Sequence, residues 1–240
     1  MSMKLGIIGF GGMGKFHSKQ APKAGVTVIG AADIKEERVQ EAIEAGIKGY
    51  HSADELLADP EINTVILTVP NHLHKEMAIK AAKAGKNVIT EKPAALNVAE
   101  LDEMTKACEE AGVCFTTHQN RRWDRDMLTV KKAYETGMLG KVFTIESRLH
   151  SGNGYMHEWH LYKKYGGGMM YDWGVHLIDQ ILFMMPDAKV KTIFADLKNV
   201  LHEEVDDYFK IILKMDNGVT AHIELSTYIL KYQPRWLAAG

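Results

Sequence analysis

Short hydrophobic runs alternate with longer amphipathic stretches along the first half of the chain. The runs that are typical of buried strands cover residues 4–9, 26–32, 64–69, 87–90 and 113–117. The stretches between them have helical periodicity, and such alternation predicts a parallel, doubly wound α/β sheet. We therefore predict a first domain of the Rossmann type over residues 1–118.

The pattern changes in the second half of the chain. It predicts a helix over residues 125–135, a long strand over 141–149, a glycine-rich loop and a second helix. Three strand-like runs follow, and the turn at residues 216–218 predicts a hairpin between the last two. This order predicts an α+β domain over residues 119–240, with a mixed, largely antiparallel sheet.

The last residues resemble the beginning of another strand. Trp236 opens an apolar run at the end of the printed chain, and such a run would leave an open sheet edge. We therefore expect the second domain's sheet to be incomplete and the chain to be truncated at its C-terminus.

Composition argues against several classes of function. The chain has 240 residues and a net charge of −2, and its basic and acidic residues are interspersed, which disfavours nucleic-acid binding. Two cysteines, Cys108 and Cys114, are too few for a disulfide framework. Because no apolar run approaches the ~20 residues of a membrane span, we predict a cytoplasmic protein that binds neither nucleic acid nor membranes.

The glycine turn after the first strand is the most informative motif. Its GxGxxG pattern permits a tight turn, a close approach of a pyrophosphate to the backbone, and close packing of the next helix. The N–H groups and dipole at a helix N-terminus favour phosphates. The predicted cofactor contacts in this turn are Gly9, Phe10, Gly11, Gly12 and Met13.

The acidic residue at the end of the second strand indicates which dinucleotide is bound. Asp33 can accept both ribose hydroxyls of NAD and would repel the 2′-phosphate of NADP, so NAD is the predicted cofactor. Lys35 could soften that repulsion, which leaves NADP open as the less favoured cofactor. Asp33 could also cap the helix predicted over residues 35–45, alone or together with the cofactor role.

Polar residues at the ends of two later strands are candidates for the nicotinamide half of the cofactor. In open α/β sheets, ligands bind outside the carboxyl ends of the strands. Glu91 and Lys92, from a Glu-Lys-Pro triplet, follow the run that ends at residue 90. At the end of the run 64–69 the candidate contacts are Thr68, Pro70, Asn71 and His74. For His74 a place on a helix surface is an equal alternative.

A second constellation lies between residues 166 and 179, in a GGxxxDxGxHxxD pattern. Asp172, His176 and Asp179 have the spacing of residues that share one face of a helix. Together with GxGxxG and the Glu-Lys-Pro triplet, this pattern resembles the Gfo/Idh/MocA family of oxidoreductases, which is named after glucose–fructose oxidoreductase and inositol dehydrogenase. The motifs occur in the family's order over nearly the whole chain, although family members are longer than this chain.

The resemblance implies reversible hydride transfer between nicotinamide and a carbinol carbon of a sugar, inositol or related polyol. Lys92, Asp172 and His176 match the family's catalytic positions. His176 is suited to accept the hydroxyl proton, and Asp172 to orient its ring and bind a second hydroxyl. Lys92 would stabilise alkoxide charge or act as the base itself. The family also implies a homo-oligomer, a dimer or tetramer, for the full-length protein.

Four residues are predicted to bind the substrate: Arg122, Trp159, Asp172 and His176. A structural salt bridge is the alternative for Arg122. Many relatives have Trp-Arg where this chain has Trp159-His160, which disfavours anionic substrates and suits stacking of Trp159 on a sugar face. No metal site is predicted, because His157 and His160 lack partners at metal-ligand spacing.

Two other functions remain compatible with these motifs. An NAD-using glycoside hydrolase would act by transient oxidation and elimination, without net redox change. A non-catalytic NAD-binding sensor or fragment would bind the cofactor and catalyse neither the dehydrogenation nor the hydrolysis.

Overall fold

The computed structural model describes residues 2–240. They divide into two compact units, Met1–His118 and Gln119–Gly240. Within the described part of the chain, no helix is long and apolar enough to cross a lipid bilayer.

The first unit is a six-stranded parallel sheet in the order β3-β2-β1-β4-β5-β6. Its strands are β1 (Lys4–Ile8), β2 (Thr27–Ala32), β3 (Lys48–Tyr50), β4 (Thr64–Leu67), β5 (Asn87–Thr90) and β6 (Phe115–Thr117). Its helices are α1 (Gly12–Gln20), α2 (Glu36–Glu44), α3 (Ala53–Ala58), α4 (His74–Lys83) and α5 (Val98–Glu110). This order places a topological switch point between β1 and β4, where dinucleotides bind in such folds.

The central strands are apolar because helices cover both faces of the sheet. Ile7 and Ile8 are consecutive residues of β1, and both are buried, in two different hydrophobic clusters. All four residues of β4 are buried as well. Continuous apolar runs of this kind, instead of alternating ones, mark strands that are packed on two sides.

Helix caps lie where the side-chain chemistry favours them. Ser52 accepts a hydrogen bond from the Glu55 N–H, and Asn97 accepts one from the Glu100 N–H. These bonds satisfy N–H groups that have no partner inside the helix. Each of the two helices therefore begins directly after the residue that caps it.

The second unit has a five-stranded mixed sheet in the order β11-β7-β10-β9-β8. Its strands are β7 (Thr144–His150), β8 (Val190–Lys198), β9 (Tyr208–Met215), β10 (Thr220–Ser226) and β11 (Trp236–Ala239). β7 and β10 are parallel, and the other neighbours are antiparallel. The predicted fold class, a parallel Rossmann sheet plus a mixed, largely antiparallel sheet, is confirmed.

Two helices, α6 (Arg125–Glu135) and α7 (Val175–Met184), contribute to the core of this unit. In β9 the residues alternate between buried and half-exposed, with Phe209 and Ile211 among the buried ones. Met127 of α6 and Ile181 of α7 are fully buried in the same hydrophobic cluster. The core therefore depends on the apolar stripes of both helices.

Replacing Ile181 by alanine should destabilise the second unit by about 2–5 kcal/mol, because it leaves a cavity in a fully buried cluster. Leu182→Ala is the matched control: Leu182 is the next residue of α7 and is 40% exposed, so its loss should cost only about 0.5 kcal/mol. Urea unfolding of both variants measures the difference. Equal losses of stability would show that α7 does not pack as described.

Candidate active site

The glycine turn of the first unit forms an open cradle. Gly9 has φ +95°, a conformation that favours glycine, and its N–H donates to the carbonyl of Ala32. Gly11 is the N-cap of α1 and has no side chain to cap it. Apart from Gly12 itself, its two chain neighbours and the nearby backbone of α1, no heavy atom of residues 2–240 lies within 4 Å of the place where a Cβ of Gly12 would be. The N-terminus of α1 therefore borders open space beside Gly12, and a helix N-terminus next to open space suits a pyrophosphate.

The same turn requires close contact between α1 and β1. A Cβ on Gly14 would overlap the carbonyl oxygen of Gly9 and would lie 3.2 Å from the Thr68 hydroxyl oxygen. Only glycine permits this approach, so the three glycines of the motif fit a bound dinucleotide.

Asp33 is buried beside the turn. Its Oδ2 accepts the Phe10 N–H at 2.8 Å, and its Oδ1 accepts the Lys35 N–H at 3.0 Å. The Arg38 Nη1 lies 3.3 Å from Oδ2. Lys35, not Asp33, is the N-cap of α2. Asp33 thus joins the glycine turn to the end of β2, and Arg38, which sequence reasoning missed, is the cation that contacts it.

The residues after β4 are held in place by local bonds. The Thr68 hydroxyl donates to the carbonyls of Ile8, at 3.1 Å, and Gly9. His74 is buried, with Nδ1 2.8 Å from the Pro93 carbonyl and Nε2 3.0 Å from the Val69 carbonyl.

Burial lowers the pKa of His74, against the effect of those two carbonyls. Asn71 is also buried, and Pro70 directly precedes the short 3₁₀ helix of residues 71–73. The geometry of Thr68 and His74 is therefore that of groups that hold loops together, and their contact with a cofactor stays a prediction.

Glu91 lies in a buried polar cluster that the sequence did not reveal. Its Oε1 is 2.6 Å from His17 Nε2 and 3.1 Å from His118 Nδ1. Its Oε2 accepts the Lys92 N–H at 3.3 Å. Burial disfavours the charged carboxylate, but the hydrogen bonds from His118 and His17 outweigh it and lower the pKa of Glu91 to about 2.

A signal for part of this cluster was present in the chain. Glu91 follows β5 and His118 follows β6, and the two strands are neighbours with Thr90 opposite Thr117. Residues that follow the paired ends of adjacent parallel strands lie side by side. His17 was harder to find, because its role depends on the orientation of α1.

In the second unit the predicted catalytic segment is not one regular α-helix. Residues Met170–Gly174 form a π-helix, and α7 begins only at Val175. Asp172 therefore lies in the π-helical turn and His176 lies in α7, and their shared helix face stays a prediction. Short π-helical turns are common at functional sites.

His176 is buried and oriented by a residue that sequence reasoning missed. Its Nδ1 lies 3.1 Å from Oε1 of Gln119. An amide oxygen only accepts, so Nδ1 carries the proton and, in the neutral ring, the lone pair is on Nε2. A neutral imidazole in this tautomer presents its basic nitrogen on the side away from Gln119.

Asp172, which is in the π-helical turn, lies beside His160. The Asp172 Oδ1 is 3.8 Å from His160 Nε2, and the His160 ring stacks on Trp159 with 3.8 Å between ring centroids. One face of the Trp159 ring is therefore covered by His160. Stacking of Trp159 on a sugar would have to use its other face.

Arg122 and Asp179 form a bidentate ion pair with N···O distances of 2.8 and 2.6 Å. The hydrogen bonds to Asp179 raise the pKa of Arg122, and its guanidinium also lies 4.8 Å from the centre of the Phe183 ring. This geometry is that of a structural salt bridge, which is the alternative to substrate binding by Arg122. Asp179 is thus engaged by Arg122, and a substrate contact for Arg122 stays a prediction.

Replacing Glu91 by glutamine should destabilise the first unit by about 1–3 kcal/mol near neutral pH, because two imidazoles lose a charged acceptor. The folded-state pKa of about 2 is below the ordinary 4.5, so this stabilisation is complete above pH 4.5 and is lost as the pH falls toward 2. Thermal melting across that range measures the effect. Glu44→Gln, at an exposed site, is the control, and equal melting of E91Q and wild type at neutral pH would contradict the prediction.

Both units match known family models. Residues 3–119 match the oxidoreductase family with an NAD-binding Rossmann fold, and residues 127–240 match the GFO/IDH/MocA C-terminal domain. The chain is also similar to a crystal structure of an NAD-binding protein from Listeria innocua. That similarity has a TM-score of 0.96 at 41% identity, and covers 100% of this chain and 71% of the other.

Two relatives have named activities. Myo-inositol 2-dehydrogenase from Thermotoga maritima is 31% identical over 234 residues, which are 93% of this chain and 68% of that protein. The scyllo-inositol 2-dehydrogenase (NADP(+)) IolW from Bacillus subtilis is 34% identical over 221 residues, 88% of this chain and 60% of that protein. The chain thus spans only part of the length of these relatives. With both of its units matched, the chain belongs to the Gfo/Idh/MocA family of oxidoreductases.

Proposed function

We propose that the protein is an NAD-dependent dehydrogenase that moves a hydride between nicotinamide and a carbinol carbon of a sugar, inositol or related polyol. The observation that carries the proposal is the open glycine cradle at the start of α1, with the Asp33 carboxylate beside it. Two relatives whose names include inositol dehydrogenase activity support the substrate class.

The cofactor contacts follow from the cradle. Backbone N–H groups of Gly11, Gly12 and Met13 would hold the pyrophosphate, and Asp33 would accept ribose hydroxyls. Polar residues after β4 and β5 would line the nicotinamide half. The nicotinamide ring of bound NAD would be the hydride acceptor.

The chain's own residues would handle the proton and the hydroxyl groups. His176 would accept the hydroxyl proton at Nε2, the nitrogen that its bond to Gln119 leaves unprotonated in the neutral ring. Asp172 would bind a second hydroxyl, and its neighbour His160 would help to orient it. Lys92 would stabilise negative charge on the reacting oxygen or act as the base itself.

The cellular location and the assembly of the protein belong to the same proposal. A cytoplasmic location and a homodimer or homotetramer are both expectations that fit a sugar or polyol dehydrogenase. Size measurement in solution tests the second.

Lys92→Ala and His176→Ala should each lower kcat by about 10²–10⁴-fold, because each removes a group that handles proton or charge at the reacting oxygen. The measurement is NADH absorbance with a panel of inositols, aldoses and glycosides. Lys75→Ala and His51→Ala, which replace partly exposed residues in ion pairs, are the controls. Retained NAD binding shows that the variants are folded.

Two outcomes would contradict the dehydrogenase, and a third would contradict only the roles given to Lys92 and His176. Release of an aglycone with catalytic NAD and no net NADH would favour the glycoside hydrolase. NAD binding without either reaction would favour a sensor. Undiminished activity in both variants would remove Lys92 and His176 from the chemistry.

NAD should be preferred to NADP, and Arg38 should decide how strongly. Arg38 contacts Asp33 and lies 3.6 Å from the position of a Gly11 Cβ, so its charge could offset the repulsion of a 2′-phosphate. Arg38→Ala should lower kcat/KM for NADP at least about tenfold (~1.4 kcal/mol) and change that for NAD much less. Lys35→Ala tests the other cation that could offset this repulsion, and we expect a smaller effect because the Lys35 ammonium lies 3.9 Å from Glu37. Equal effects of the two variants, or a wild-type preference for NADP, would contradict this prediction.

A further inference from the structure

His17, Glu91 and His118 form a cluster in which each residue offers one atom that could bind a metal ion. His17 Nε2, Glu91 Oε1 and His118 Nδ1 all lie within 4.8 Å of one another. We propose that this cluster is a binding site for a divalent transition-metal ion of the Zn²⁺ type. The site would be additional to the proposed dehydrogenase chemistry, which needs no metal ion.

The donor set and its spacing suit such an ion. Two imidazoles and a carboxylate are common Zn²⁺ ligands, and metal–ligand distances of about 2.0–2.2 Å place neighbouring tetrahedral ligands ~3.3 Å apart. The observed distances from Glu91 Oε1 are 2.6 Å to His17 and 3.1 Å to His118. Small side-chain rotations would therefore bring all three atoms to one ion.

Three separate elements hold the ligands in place. His17 is on α1, Glu91 follows β5, and His118 follows β6, whose pairing with β5 sets the last two side by side. The Lys92 N–H bonds the second oxygen of Glu91 at 3.3 Å. Such a bond orients a ligating carboxylate in the manner of outer-shell partners in metal sites.

Charge and access also favour an ion at this place. The Glu91 Oε1 already contacts both imidazoles, and a bound dication would take the place of the protons in those contacts. The side chains of His17 and Glu91 are each 9% exposed, whereas that of His118 is 31% exposed. His118 therefore lies on the route by which an ion or a fourth ligand, such as water, would reach the cluster.

A metal ion bound at this cluster would affect a residue of the proposed active site. Glu91 immediately precedes Lys92, and the two share the bond between the Glu91 carboxylate and the Lys92 N–H. A metal ion that pulled on the carboxylate would act on the backbone of Lys92.

Titration of the chelator-stripped chain with Co²⁺ tests the proposal without reference to enzyme activity. We expect one equivalent to bind with a visible spectrum of low-symmetry, four-coordinate Co²⁺, and Zn²⁺ to displace it. His17→Gln and His118→Gln keep a side chain that can hydrogen-bond to Glu91 but remove the imidazole ligand. Each should weaken Co²⁺ binding by at least about tenfold, since loss of even an outer partner costs about 10–100-fold.

The control is His51→Gln. His51 pairs with Glu36 at 3.1 Å on the surface, and residues 2–240 place no third ligand beside that pair, so its loss should leave Co²⁺ binding unchanged. Zn²⁺ should also raise the melting temperature of wild type more than that of H118Q. If H17Q fails to fold, H118Q decides, because its site is partly exposed. Absence of stoichiometric binding, or unchanged affinity in H118Q, would overturn the proposal.

Discussion

The close contact between the start of α1 and the end of β1 is the constraint on which the first unit depends. Gly14 lies so close to the Gly9 carbonyl that a Cβ would overlap it. Because glycine has no side chain, the start of α1 can pack against the end of β1. That position opens the cradle at Gly12. It also carries His17, one turn further along, to Glu91.

Contacts with three imidazoles hold the Glu-Lys-Pro segment on both sides of Lys92. On one side the Glu91 carboxylate is bonded by two imidazoles, and on the other the Pro93 carbonyl is bonded by the buried His74. Buried polar groups are costly unless they are satisfied, so this network specifies one arrangement of the loop strongly. Lys92 lies between these two anchored residues and is thereby held in a defined position.

Much of the fold could be predicted from the sequence because its strongest elements are local. The strands β1, β2, β4 and β5 are apolar runs, and the caps at Ser52 and Asn97 are properties of short segments. β3, which is only Lys48–Tyr50, has no apolar run to reveal it, since it is a short edge strand. The π-helical turn was missed because its hydrophobic spacing resembles that of an α-helix.

The site was less predictable, because its partners come from distant segments. The motifs identified Asp33, Glu91 and His176, but not Arg38, His118 or Gln119, which contact them. Motif spacing locates a functional group, whereas its protonation state depends on neighbours that only the folded chain brings together.

The parallel pairing of β7 with β10 has a consequence for folding. β7 opens the second unit's sheet and β10 comes after a long crossover, which contains the Trp159 loop, the π-helical turn and α7. Pairing across so many intervening residues is a slow, non-local step. The segment that carries Asp172 and His176 lies inside the loop that this pairing closes. The polar groups proposed to handle a substrate therefore depend on a non-local strand pairing as well as on their own local sequence.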